Sequence, residues 1–309
     1  MTTYSALQLK NLARAAGFAA CGIAPAGRVA PWREAQLRKW LADGRQGAMR
    51  YMQEHLDLRL DPTLLVPGAR SVVSVALNYC PMRLQPEGTY RFARYAYGQD
   101  YHDVMRQKLR SLAERLGLQG RAFCDTAPLD EHYWAWRGGL GWLGRHTQLI
   151  LPGAGSYFFL GELVLTAEAD AYDEPMPSRC GTCRACIQAC PAGALSADGG
   201  IDARRCLSYL TIEWRGPLPS GTAALMGHCV YGCDRCAEAC PHNRLARPTA
   251  EPALQPRPEF LNMTAAGWRA LTPEDYRRIF KGSAVKRAKY EGLMRNIRAA
   301  AAADEGTEA

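Results

Sequence analysis

The sequence predicts a mixed α/β or α+β layered domain over residues 1–172, a small cysteine-rich domain over 173–245 and a helical, basic C-terminal segment over 246–309. Three observations predict it. Helical and strand patterns alternate up to residue 172. Nine of the twelve cysteines fall between Cys180 and Cys240. A helix start at Thr272-Pro273-Glu274-Asp275 opens a run of cations.

In the first segment, residues 1–20 read as an amphipathic helix with Ala6, Leu9, Ala13 and Ala16 on one face. Residues 71–79 (SVVSVALNY) are β-branched and suit a buried strand. Residues 100–116 carry Met105, Leu109, Leu112 and Leu116 on one helical stripe, with Asp100 as N-cap and Gly117 as the stop. Residues 121–126 and 157–166 read as further strands. Residues 246–270 are proline-rich and are expected to run over the surface, and Thr272 should cap the next helix with Pro273 at its first position. The final alanine-rich residues are expected to fray.

Composition narrows the function classes. The 309 residues are 48% hydrophobic and 22% charged, as in globular proteins. With 38 basic against 30 acidic residues, the net charge of +8 permits a polyanionic partner such as RNA. The most apolar stretch, 148–167, contains Pro152, three glycines and Glu162, which excludes a membrane-spanning helix. No signal peptide is visible, so the expected compartment is the cytoplasm, where twelve cysteines mean metal or redox chemistry rather than disulfides. No Rossmann or P-loop signature is present.

The cysteine spacing carries the strongest chemistry. Cys180, Cys183 and Cys186 are each separated by two residues, and Cys190-Pro191 follows after three more. Three such thiolates wrap one face of a 4Fe–4S cubane, while the cysteine before proline turns to the neighbouring cluster. Cys233, Cys236 and Cys240-Pro241 form a second half-motif that lacks its first cysteine. Cys206 or Cys229 can complete it. With Cys206, one cluster takes Cys180, Cys183, Cys186 and Cys240, and the other Cys190, Cys206, Cys233 and Cys236. Zinc needs only four ligands in a closed tetrahedron and does not explain the doubled pattern. The segment therefore reads as a ferredoxin-like domain with two 4Fe–4S clusters. Cys21, Cys80 and Cys124 read as buried free thiols.

Four further signals are weaker. Residues 123–131 (FCDTAPLDE) end a strand in Asp125-Thr126, which either offers a carboxylate at a sheet edge or caps the helix near Pro128. The glycine-rich 138–144 lets backbone approach a flat ligand. Residues 95–102 (YAYGQDYH) read as ordinary packing plus a helix start. Arg277, Arg278, Lys281, Lys286, Arg287, Lys289, Arg295 and Arg298 form a basic run that either tracks phosphates or is simply solvated.

Taken together, these segments resemble epoxyqueuosine reductase, in its short form without a helical-repeat extension. The resemblance rests on GAMRYM (47–52), LRLDP (58–62), RYAYGQDYH (94–102), DTAPLDE (125–131), GGLGWLGRH (138–146), GSYFFLGEL (155–163), RRCLSYLTIE (204–213), YGCDRCAEACPHN (231–243), GSAVKR (282–287) and LMRNI (293–297). It implies a cobalamin on the N-terminal domain, base-off with no protein ligand on its lower face, fed by the two clusters. It implies Cys206 as the eighth cluster ligand and Asp125 as the proton donor. It also implies Arg59, Arg94, Tyr95, Asp125, Leu149, Ser156, Leu160 and Ser208 as the cobalamin pocket. The implied partners are the anticodon stem-loop of a tRNA and a low-potential donor such as a flavodoxin or ferredoxin, acting on a monomer. His242 stands where the family usually has tryptophan, and His132 where it usually has arginine.

A proton donor must be protonated near neutral pH, and burial beside a corrin is expected to raise the Asp125 carboxyl accordingly. Three other readings share part of this logic. One is a corrinoid and iron–sulfur reductase of a small molecule, in the manner of reductive dehalogenases. The second is a ferredoxin-type electron carrier without catalysis of its own. The third is an RNA-binding protein whose clusters are structural.

Overall fold

Side-chain alternation along two eight-residue strands sets the layer order of this protein. A computed structural model describes residues 3–197 and 199–307. Helix α1 (Ala6–Ala15) is capped by the Ser5 hydroxyl, which accepts from the Gln8 N–H. It leads into β1 (Ala20–Pro25), β2 (Ser71–Asn78), α2 (Tyr101–Leu116), β3 (Gly120–Phe123), α3 (Glu131–Arg137) and β4 (Phe158–Leu165). The four strands form one sheet in the order β1-β2-β4-β3, every pair antiparallel.

Val73, Val75, Leu77, Leu163 and Leu165 project to one face and bury Leu9 and Ala13 of α1 with Met105, Leu109 and Leu112 of α2. Val72 and Val164 project to the other and meet Phe123, Tyr133 and Trp134, the last two from α3. The period of two along each strand thus produces three layers. A β-carbon at Gly161 would sit 2.8 Å from the Met105 sulfur, so glycine there lets α2 lie close on the sheet.

The second core lies outside the sheet. Phe92, Tyr231, Phe260, Trp268, Phe280, Leu293 and Ile297 are buried together. Cys229–Tyr231 pairs in parallel with Arg91–Phe92, stitching the cysteine-rich segment to the N-terminal half. Helix α4 (Lys289–Thr307) closes this core. Its buried Asn296 donates to the Thr211 and Val230 carbonyls at 2.8 and 2.9 Å.

Several expectations are met. Asp100, Gly117 and Thr272 cap as their residue types demand, and Cys80 and Cys124 are buried, whereas Cys21 is only partly buried. Others need correction. The first helix is shorter than residues 1–20, because Thr3–Tyr4 forms a parallel pair with Glu168–Ala169. The strand expected at 121–126 ends at Phe123, since Asp125 adopts a left-handed backbone with φ of 59°. Neither Asp125 nor Thr126 caps the helix that follows. Asp130 does, accepting from the Tyr133 N–H while Arg33 grips it through two nitrogens. Residues 246–270 do not simply run over the surface, because they carry the fully buried Phe260 and Trp268 against Phe92. The expected fraying falls partly on residues 308–309, outside the described residues. Among the described residues, no helix is long and apolar enough to cross a membrane.

Candidate active site

The two cysteine motifs fold into tight loops, each followed by a short helix, Ala185–Gln188 and Arg235–Glu238. Their thiols fall into two neighbourhoods. Cys186 lies in the field of Cys180 and Cys240, and Cys240 in that of Cys180 and Cys183. Cys236 lies in the field of Cys206 and Cys190. Cys233 shares an apolar cluster with Cys206 and also hydrogen-bonds Cys229. Two sets of soft thiolate donors are the ligand chemistry that 4Fe–4S clusters require. Cys183 is exposed, whereas Cys186 and Cys240 are buried.

Cys206 also lines a cleft of 670 Å³. The helix Leu207–Ile212 begins immediately after it and contributes Ser208, Tyr209 and Ile212 to the same wall. Arg59, Tyr95, Tyr101, His102 and Asp125 line the same cleft, as do Met49, Tyr51, Trp40 and Arg287. A second cleft of 600 Å³, lined by Trp32, His132, Trp136 and Trp142, meets the first at Trp40 and Ile201.

Asp125 projects into the first cleft with 60% of its side chain open. The Tyr101 hydroxyl donates to its Oδ2 at 2.6 Å, and His102 Nε2 lies 3.1 Å from the same oxygen. The other imidazole nitrogen contacts Asp100 at 2.6 Å. Burial pushes His102 down, but its bonds to Asp100 and Asp125 prevail and carry it up to about 9. Burial pushes Asp125 up, yet the bonds from His102 and Tyr101 together hold it below the usual carboxylate range. This direction is opposite to the raised carboxyl expected beside a corrin.

The residues named from sequence divide. Arg59, Tyr95, Asp125, Cys206 and Ser208 meet at the cleft. Arg94 lies apart, paired with Glu238 at 2.9 Å and bonded through its N–H to Asp234. Leu149 and Leu160 are buried in a separate apolar cluster, and the backbone N–H of buried Ser156 donates to Asn243. Sequence reasoning passed over Tyr101 and His102, reading them as a helix start. The signal available was the Asp100 cap, which fixes the first turn of α2 and hence where both side chains point.

A family model described as Epoxyqueuosine reductase QueG, DUF1730 matches residues 59–126, and one described as 4Fe-4S double cluster binding domain matches 179–243. The epoxyqueuosine reductase of Cellulophaga algicola is 42% identical over 91% of this chain and 93% of its own. The chain belongs to the epoxyqueuosine reductase family. The Escherichia coli epoxyqueuosine reductase is 38% identical over 85% of this chain and 72% of its own. Among solved structures, an epoxyqueuosine reductase with a tRNA-Tyr epoxyqueuosine-modified stem-loop superimposes with a TM-score of 0.88 at 29% identity. It covers 96% of this chain and 80% of that one. A Bacillus subtilis epoxyqueuosine reductase, with a catalytic loop swung out of the active site, gives 0.87 at 28% identity, covering 98% and 82%. As an epoxyqueuosine reductase, this chain is an oxidoreductase with a 4Fe–4S double-cluster domain, and the comparisons do not favour the small-molecule reductase or electron-carrier readings.

Proposed function

We propose that the 670 Å³ cleft holds cobalamin and receives the epoxyqueuosine of a tRNA anticodon stem-loop, with Asp125 passing a proton to the opening epoxide. One observation carries this reading: Cys206, which we assign to the second cluster, and Asp125 line the same cleft.

The cleft suits a corrin. Its walls are mostly aromatic and aliphatic, and buried Arg59 donates to the Leu129 carbonyl while its Nε finds no partner among the described residues. Arg59, Tyr95 and Ser208 would hold the polar rim of the macrocycle, and Met49 and Ile212 its apolar faces. When bound, cobalamin supplies low-potential reducing chemistry beyond the reach of any side chain. Cys183 is the exposed ligand, so a low-potential flavodoxin or ferredoxin would deliver electrons there.

Conversion of the epoxide to an alkene takes up two electrons and two protons and releases one water. Asp125 meets the proton demand as a relay. It accepts a proton at Oδ2 from His102 and turns it to the departing oxygen, while Tyr101 keeps that carboxylate aimed. Asp100 retains the resulting imidazole in place for reprotonation. The basic run supports a tRNA substrate: Arg277, Arg278, Lys281, Lys286 and Lys289 are exposed, and Arg287 brings the run to the cleft. Arg295 is spent internally on the Leu210, Trp214 and Gly216 carbonyls.

The test uses anaerobically purified protein carrying its clusters, mixed with cobalamin and an epoxyqueuosine stem-loop under a chemical reductant. Cobalamin should co-elute with the chain, and mass spectrometry should show the loss of one oxygen from the RNA. A chain that retains no cobalamin, or RNA that stays unchanged, would overturn the reading.

A further inference from the structure

Directly behind Asp125 lies a second carboxyl system that the relay does not use. Glu131, first residue of α3, accepts the Asp125 backbone N–H in a short hydrogen bond. Glu162, in the middle of β4, is fully buried and pairs across the sheet with Ser74 on one side and Phe123 on the other. It faces the Ser74 hydroxyl and the Glu131 carboxyl, yet no described group closes a full hydrogen bond on either of its oxygens. A buried carboxylate without a partner is costly, so the site demands a proton.

The charges around the pair do not neutralise two anions. Asp125, Asp130 and Cys124 face it on the acidic side, and Arg59 and His102 on the basic side. Asp130 is already committed to Arg33, and His102 to Asp100 and Asp125. Burial first and the Asp125 charge second push Glu131 up to about 8, while burial first and the Glu131 charge second push Glu162 well above the ordinary carboxyl range.

We infer that Glu131 and Glu162 share one proton as a buried acid pair that latches the Asp125 loop in its working position, which makes Glu162 a positioning residue. This rests on the relay reading of Asp125. Glu162, whose oxygens have no other partner, holds the proton beside Glu131, and Glu131 Oε1 takes the Asp125 N–H. Asp125 needs such a latch, because a non-glycine residue at φ of 59° is held only where its surroundings over-determine it. Two adjacent carboxyls in a dry site keep one proton between them for the same reason in other acid pairs.

The experiment is infrared spectroscopy and stem-loop turnover on the cluster- and cobalamin-loaded protein, prepared with 13C-glutamate. Wild type should show a protonated carboxyl C=O band at pH 7 that moves with the label. Glu162→Gln should abolish the band while preserving shape, and Asp125→Asn should leave it. Glu162→Leu should bind cobalamin and RNA normally but lower kcat by about 10- to 100-fold, as a small misplacement of a reacting group does. An absent band in wild type, or wild-type kcat in Glu162→Leu, would overturn the latch. If the band is present but Asp125→Asn turns over normally, the relay reading fails and the acid pair stands.

Discussion

His102 Nε2 lies 3.1 Å from Asp125 Oδ2, and the two residues form an ion pair at the head of the cleft. In the proposed relay the histidine would store the proton, one hydrogen bond away from the group that would deliver it.

Asp125→Asn should keep both clusters and cobalamin yet lose turnover by about 10²- to 10⁴-fold, the usual range for removing an acid–base group. Single-turnover conversion of the stem-loop, with the visible spectrum as a control, measures both.

His102 titrates near 9 against an ordinary 6.5, so the proton it stores is present below about pH 9 and lost above it. The rate should therefore fall as pH rises through about 9. His102→Gln should lower the rate and erase that basic limb, which a pH profile of kcat reads directly. The stabilisation from this pairing has the same sign: it is complete below 6.5 and fades as pH rises through about 9.

If Cys206 is the eighth ligand, Cys206→Ser should lower the iron content from about eight toward about four per chain. Cys229→Ser should leave it near eight, also by iron analysis, if Cys229 only neighbours Cys233. The reverse outcome would exchange the two roles.

Asn296→Leu strands two buried carbonyls, those of Thr211 and Val230. It should destabilise the fold by about 2 kcal/mol or more, since each unsatisfied buried group costs about 1–3 kcal/mol. Denaturant unfolding under anaerobic conditions gives the value.

What was legible in the sequence was mostly local. The cysteine loops announce themselves because cluster ligation fixes ligand spacing along the chain, and Asp100, Gly117 and Thr272 announce helix ends because caps act within three or four residues. Tyr101 and His102 were hidden because their meeting with Asp125 spans more than twenty residues and depends on a left-handed turn in a non-glycine residue. Residues 246–270 misled for a different reason. Pro252 and Pro258 read as loop, but each begins a short helix where its missing N–H costs nothing, and Phe260 and Trp268 follow into the core. In the sequence Glu162 is only a charge within an apolar stretch, and its burial beside Glu131 arises only in the folded sheet.

Cys206 is the last residue before the helix that builds one wall of the cleft. Air or an oxidant that dissolves the neighbouring cubane would free that helix from its anchor, and Ser208, Tyr209 and Ile212 would drift with it. Damage by oxygen would then register twice, as a broken electron path and as a mouth that no longer fits its RNA. A bleached preparation should accordingly be unable to recover by adding reductant alone, and only rebuilding the cluster would restore the wall.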